Sequence, residues 1–470
     1  MNETSRDQII ETKMRAAGFA APTINAFLGA VHKVTSGERG MLPESVLEPI
    51  ATLPKLAELP AGDPYDNSGL LRQLAVIKLN GGLGTGMGLD RVKSLLQVKG
   101  EDTFLDFIAH QILHLRGGSA NREPAFYLMD SAATQKDTLD YLRKYESLAE
   151  NNELDFLQSM VPKLDAKTFA PVSWPADPEL EWCPPGHGDL YPSILGSGLL
   201  DRLLARGVKY LFVSNSDNLG ATVDLKLARY FANSGFSFMM EVAERTGADR
   251  KGGHLARRVS TGKLLLRESA QCPKEDETQF QDIERHRYFN TNNLWVQIEH
   301  LKASLDRTGG VLSLPLITNT KTVDPRDLTS PKVLQLESAM GAAIECFDKA
   351  GAIVVTRERF SPVKTTSDLL ALRSDAYRIT DQFHLVLDES RQGQPPLVDL
   401  DSNHYKMLAG FEACFNQGTP SLIACESIKI VGKMTFSPGI ICQGKVEFHN
   451  AHSDMRTVPP GIYRDTQVHL

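Results

Sequence analysis

The chain has 470 residues, of which 41% are hydrophobic, 23% charged and 7% aromatic, a profile that excludes a disordered, collagen-like or fibrous protein. Its 51 Lys and Arg against 58 Asp and Glu give a formal net charge of -7. No global basic field is therefore available to hold a nucleic-acid backbone, and any bound phosphate must be gripped locally.

The opening MNETSRDQIIETKMRAAGFA carries charges throughout and lacks the apolar stretch of a secretory signal, so export is not expected. No apolar run approaches the ~20 residues that span a bilayer. The six cysteines have no CxxC spacing, which suggests neither a disulfide framework nor a zinc knuckle and fits a reducing cytoplasm. Residues 1–65 read as a helical segment packed on the core, ending in the loop-forming stretch LPAGDPYDNSG.

From Leu74 onward, strand-sized apolar runs alternate with amphipathic helical ones: LAVIKL, TFLDFIAHQILHL, AFYLM and ATQKDTLDYLRKY. The same alternation returns from the helical GDLYPSILGSGLLDRLLARG to VKYLFVSN, VDLKLARYFANSG and FSFMMEVAE, and from YFNTNNLWVQI through LESAMGAAIECFDKAG to AIVVT. Strands followed by helices predict a Rossmann-like α/β domain over residues 66–380 with a mixed, mainly parallel sheet. Over 381–470 the runs SIKIVG, KMTFSPG, IICQG and KVEFHN are short, β-rich and punctuated by glycine. They suit a few coils of a β-helix or a small antiparallel sheet.

The segment LAVIKLNGGLGTGMGLDRVKS passes from a buried strand into glycines, the place where open α/β sheets bind ligands. Glycine lets backbone N–H groups approach an anion closely. A dinucleotide fingerprint fails here, because no glycine has partners at both the second and fifth following positions, and a Walker A loop fails because Val92 precedes Lys93-Ser94. The loop instead resembles that of nucleotide-sugar pyrophosphorylases, and most closely the eukaryotic-type UTP–glucose-1-phosphate uridylyltransferase family, whose loop reads much like KLNGGLGT.MG....KS and continues into TFLD. The resemblance runs over nearly the whole chain. It implies a nucleotidyltransferase domain at 66–380 and a left-handed β-helix-like domain at 381–470.

The family pattern assigns UTP contacts to Leu79, Asn80, Gly81, Gly82 and Lys93, the last of these meeting the triphosphate. In FLQSMVPKL it gives Gln158 the uracil edge, chemically suitable because an amide both donates and accepts. In WCPPGHGD it places Gly186 against the base and His187 at a phosphate. NSDNLG follows a buried strand, and there the resemblance makes Asp217 a ligand of Mg²⁺ and sets Asn215 and Ser216 near the sugar phosphate. Oxygen donors with few carboxylates suit that ion. Asn290, Asn292 and Glu337 are implied to surround glucose, and Lys364 in SPVKTTSDLL to be a second phosphate lysine, with Thr365 or Thr366 capping a helix whose N-terminus would add to its field. Asp90-Arg91-Val92 departs from the family's Thr-Gly-Pro-like stretch.

The implied reaction is Mg²⁺-dependent transfer of UMP from UTP to glucose 1-phosphate, giving UDP-glucose and pyrophosphate, with Lys364, Lys93 and Asp217 as the catalytic groups. The alternatives are a UDP-N-acetylglucosamine or broad-specificity UDP-sugar pyrophosphorylase, and a catalytically silent UDP-glucose sensor. No nucleic-acid or membrane partner is expected, and a homo-oligomer is left open.

Overall fold

A computed structural model describes residues 3–60, 67–117, 123–149 and 153–470. The predicted boundary between 65 and 66 and most of the LPAGDPYDNSG stretch lie outside them. Two helices, α1 (Glu3–Ala16) and α2 (Ala21–Thr35), open the chain and bury Ile10, Met14, Ile24, Phe27 and Val31 against Val161, Leu164 and Leu336. Beyond Thr35 the helical expectation gives way to extended chain: β1 (Leu47–Glu48) joins the main sheet, and Pro54 accepts a bond from the Val354 amide.

The sheet is built from β2 (Leu74–Leu79), then α3 (Phe104–Arg116), β3 (Ala125–Asp130), α4 (Ala132–Leu142) and β4 (Asp155–Leu157). The predicted long helix after the PPGHGD stretch is two, α5 (Leu190–Gly196) and α6 (Leu199–Ala205), broken at Gly198. There follow β5 (Tyr210–Asn215), α7 (Leu225–Ser234), β6 (Phe238–Glu244), β7 (His254–Arg258), β8 (Tyr288–Gln297) and α8 (Ile298–Arg307). β9 (Lys332–Glu337) lies in a separate small sheet and leads through a 3₁₀ turn, Met340–Cys346, to β10 (Ala350–Val354); this replaces the helix expected in that crossover.

Across the main sheet the order is β10-β6-β8-β5-β2-β3-β4, with β7 and β1 attached beside β8. The strands from β5 to β4 are parallel, as are β10 and β6, whereas β8 runs against both of its neighbours. The sheet is therefore mixed, with its parallel part confined to two blocks. β8 begins at the edge where β2, β3, β5 and β6 end. Alternate residues of β2 serve the two faces. Val76 packs with Phe126, Phe212 and Trp295 under α3 and α7, while Ile77 packs with Tyr127, Val213 and Leu294 under α5, α6 and α8. Both faces are covered, which is why these strands read as continuous apolar runs.

After α9 (Thr366–Arg373), four strands stack in parallel: β11 (Leu397–Leu400), β12 (Ser421–Val431), β13 (Ile440–His449) and β14 (Gly461–His469). The antiparallel alternative does not form. Their inward Ile428, Val446 and Phe448, with Tyr405, Phe411 and Phe436, share one apolar cluster with α3 and the main sheet, so the two parts have a common core. No described helix is long and apolar enough to cross a membrane.

Candidate active site

The glycine-rich segment leaves β2 at the carboxyl edge of the sheet and folds over it. Gly81 is held by the Ser131 hydroxyl, which donates to its carbonyl at 3.1 Å, and a Cβ at Gly81 would lie 2.7 Å from Gln158 Oε1. A side chain at position 81 would push the Gln158 amide away from the loop. The loop closes where the Lys93 amide donates to the Gly82 carbonyl at 3.1 Å, so Lys93 points back toward the strand ends. Asn80 does not face the cleft: it is buried, its side chain donates to Asp130 Oδ1 at 2.7 Å and to Thr138 at 2.9 Å, and its amide is bonded to Met129. The Asn80 side chain therefore supports the loop from beneath. Arg91 is exposed and does not line the cleft.

Gln158 follows β4, its amide bonded to the Asp130 carbonyl and its Nε2 donating to the Gly186 carbonyl at 3.1 Å. Gly186 has φ of 78°, and a Cβ there would meet the Ser338 carbonyl at 2.5 Å. The adjoining turn is tied by Ser338 N–H to Pro185 and Gly188 N–H to Ser338. His187 Nδ1 accepts from the Met340 N–H at 2.9 Å. Since that amide can only donate, the ring proton of the neutral imidazole sits on Nε2. Desolvation pushes the imidazole pKa down to about 4, so His187 is an uncharged donor at neutral pH.

At the end of β5, Asn215, Ser216 and Asp217 enter the same cleft. Asp217 Oδ2 pairs with Lys93 Nζ at 2.6 Å, the two side chains being 22% and 17% exposed. The cleft, of about 1000 Å³, is also lined by Leu79, Gly81, Gly82, Gln158, Gly186 and His187. Asp217, a carboxylate at a strand end facing a cavity, fits Mg²⁺ that takes its other ligands from phosphate and water. Among the described residues the group with metal-ligand spacing is Glu3, Asp7 and His32, which lies on α1 and α2 and lines none of this cleft.

Lys364 does not line this wall. It is exposed in an adjoining groove of about 820 Å³ with Gly252, Phe289 and Arg357, its Nζ 6.0 Å from the Phe360 ring centroid. Its segment is nonetheless tied to the Asp217 turn: Val363 N–H donates to the Asp217 carbonyl and Ser361 N–H to Asn218 Oδ1. Thr365 does cap α9, but Asp368 accepts from both the Lys364 and Thr365 amides at 2.8 Å, so those donors are not free for a phosphate. Beneath the turn lies a buried pair, Arg359 donating to both oxygens of Glu241 at 2.8 and 2.9 Å, with Trp295 and Asn293 completing the acceptor's shell.

The three residues expected around glucose are also outside the cleft wall. Asn290 and Asn292 bond to each other at the start of β8, through the Asn290 Nδ2–Asn292 Oδ1 contact at 2.8 Å, and Asn292 has φ of 59°. Glu337 accepts from Asn319 at 2.9 Å and faces a separate cavity behind the Gly186 turn. Sequence reasoning missed Ser131, Ser338 and Met340, which act through backbone and hydroxyl groups, and Trp182 and Phe19, which wall the cleft from the N-terminal side. Of these only Ser131 had a local signal, a serine directly after a buried strand and before a helix.

Fold and cleft define an α/β protein with a large open cleft at the carboxyl edge of its sheet, the place where such sheets bind ligands. A family model described as UTP–glucose-1-phosphate uridylyltransferase matches residues 27–443. The chain is 40% identical over 432 residues to the UTP–glucose-1-phosphate uridylyltransferase of Solanum tuberosum, covering 90% of this chain and 87% of that one. It is 42% identical over 385 residues to the enzyme of the same name from Saccharomyces cerevisiae, covering 81% and 74%. Among solved structures, the S374W mutant of UDP-glucose pyrophosphorylase from Leishmania major in complex with UDP-glucose superimposes with a TM-score of 0.92 at 45% identity, covering 99% of each chain. The UDP-glucose phosphorylase of Trypanosoma brucei gives 0.89 at 47% identity, covering 99% of this chain and all of that one (100%). The chain belongs to the UTP–glucose-1-phosphate uridylyltransferase family.

Proposed function

We propose that the protein joins UTP and glucose 1-phosphate into UDP-glucose and pyrophosphate, reversibly, by in-line attack of the sugar phosphate on the α-phosphorus. The observation that carries this reading is the convergence of Lys93, Asp217, Gln158, Gly186 and His187 on one cleft. Gln158 and the Gly186 turn would receive the uracil, an imide whose donor and acceptor pattern an amide matches. His187 Nε2–H would donate to a phosphate oxygen, and Asn215 and Ser216 would hold the sugar phosphate. The attacking oxygen is already anionic, so no general base is needed; the protein aligns two polyanions and offsets their repulsion. Mg²⁺ held by Asp217 would supply charge neutralisation at the phosphates. Lys93 then exchanges its carboxylate partner for the triphosphate, and Lys364 completes the charge set from the adjoining groove. Asn290, Asn292 and Glu337 would supply the glucose contacts that the family pattern implies.

The parallel stacking of β11 to β14 supports a left-handed β-helix-like domain over 381–470 beside a nucleotidyltransferase domain over 66–380, and six free cysteines suit a reducing cytoplasm. The test is pyrophosphate release with Mg²⁺, offering UTP, ATP, GTP or TTP with glucose, galactose or N-acetylglucosamine 1-phosphate. Release confined to UTP and glucose 1-phosphate is expected. Preference for another pair moves the substrate, and no release with any pair, despite UDP-glucose binding, leaves a sensor.

A further inference from the structure

Lys78 is a buried amine in the central strand of the sheet, 3% exposed, and none of its atoms lines the cleft. It stands opposite Ser214 in the parallel register of β2 and β5. Its Nζ donates to Ser214 Oγ at 2.8 Å and to the Ala221 carbonyl at 2.6 Å. Those two acceptors are the ends of the turn that carries Asn215, Ser216 and Asp217. The next residue, Leu79, accepts the Ser216 amide at 3.0 Å, so two successive residues of β2 hold this turn from below. From the other side it is held by the Ser361 and Val363 amides.

An amine in an apolar interior is costly, and an unbranched apolar side chain would fill the same volume without that cost. Burial, with the Arg359 guanidinium adding, pushes the amine pKa down to about 7. What methionine could not do is bond to both ends of the turn. We propose that Lys78 is a positioning residue for the Asp217 turn, closing the loop from Ser214 to Ala221 and so fixing the carboxylate relative to Lys93. The inference rests on the reaction proposed above, in which Asp217 acts on the phosphates.

The full-length Lys78→Met and Lys78→Gln proteins are compared with wild type for pyrophosphate release, with circular dichroism and thermal melting to establish that each is folded at the assay temperature. For Lys78→Met the expected result is a fall in kcat of roughly 10- to 100-fold, the scale of misplacing a reacting group by under about 1 Å. KM for UTP stays within about threefold, because Gln158 and the Gly186 turn, which would receive the base, lie outside the Ser214–Ala221 loop. Lys78→Gln, which keeps an N–H donor, recovers part of the loss. A folded Lys78→Met protein with kcat within about twofold of wild type overturns the proposal, as does a loss fully accounted for by the unfolded fraction. If Lys78→Met does not fold, Ser214→Ala removes one of the two anchors while leaving the amine, and unchanged kcat in that variant overturns it equally. Wild-type protein that releases no pyrophosphate removes the underlying reaction instead.

Discussion

Asp217 and Lys93 form an ion pair in the cleft at 2.6 Å, and in the proposed reaction a polyanion would compete for the lysine. Replacing Asp217 or Lys364 by Ala is expected to lower turnover by roughly two orders of magnitude, the usual loss for one charge partner of a transition state. Pyrophosphate release measures it, and near-normal turnover in either folded variant removes that residue from the mechanism. His187 makes a different prediction. With its pKa lowered to about 4, it is neutral throughout the range from about 5 to 8 and adds no inflection to the pH dependence of kcat there. An inflection lost in His187→Asn would show instead that the imidazole titrates in the working range. These side chains were legible in the sequence because each sits in a motif with unusual glycine or proline neighbours. The Met340 amide that fixes the imidazole tautomer was not legible, since any residue has a backbone N–H and nothing local says which histidine it meets.

The strand ends and the turns after them work as units. Glu241 on β6 and Arg359 after β10 form a pair in which Glu241 is fully buried (0% exposed) and Arg359 nearly so (7%). Arg359 also accepts, through its carbonyl, from Asn218 and Asn293. The pair therefore ties three segments, the Asp217 turn, β8 and the approach to Lys364. Glu241→Gln leaves the guanidinium without its counter-charge, and a loss of about 3–5 kcal/mol in unfolding free energy is expected. Urea titration with intact m-value checks it; a change under about 1 kcal/mol would show that the glutamine amide restores the shell. The strand runs themselves were readable from apolar continuity. The reversal of β8 was not, because a strand buried on both faces has the same composition in either direction. The two helices α5 and α6 were read as one for a related reason: their apolar spacing continues across Gly198, and the break depends on that glycine's left-handed backbone.

For the molecule as a whole, buried ionisable groups set how stability responds to pH. Asp130, fully buried under Asn80, has a pKa raised from 3.8 to about 7, chiefly by desolvation, with Asp155 adding. Its folded value lies above the unfolded one. The native state thus holds the extra proton between those values, and the stability contributed by this group falls as pH rises through that window. Asp130→Asn removes the ionisation, so its melting temperature relative to wild type should climb between about pH 4 and 7 and level off above. A difference that is flat with pH would mean that Asp130 is already ionised in the native state at the lower end.

The sequence alone determined the alternation of strands and helices, the glycine-rich loop after the first central strand, the change to short β runs near residue 380, and the membership of Lys93, Gln158, Gly186, His187 and Asp217 in recognisable motifs. Those features are local, since periodicity, turn chemistry and motif spacing are written in consecutive residues. Tertiary structure alone decided which motif residues share a wall and which do not. It brought Lys93 to Asp217 across 124 positions of chain, turned Asn80 inward and set Lys364 in the next groove. It also placed Lys78 beneath the Asp217 turn and merged the C-terminal strands with the core of the main sheet. Such long-range pairings follow from strand order and from the cost of leaving a buried polar group without a partner, and neither is visible until the chain has closed on itself.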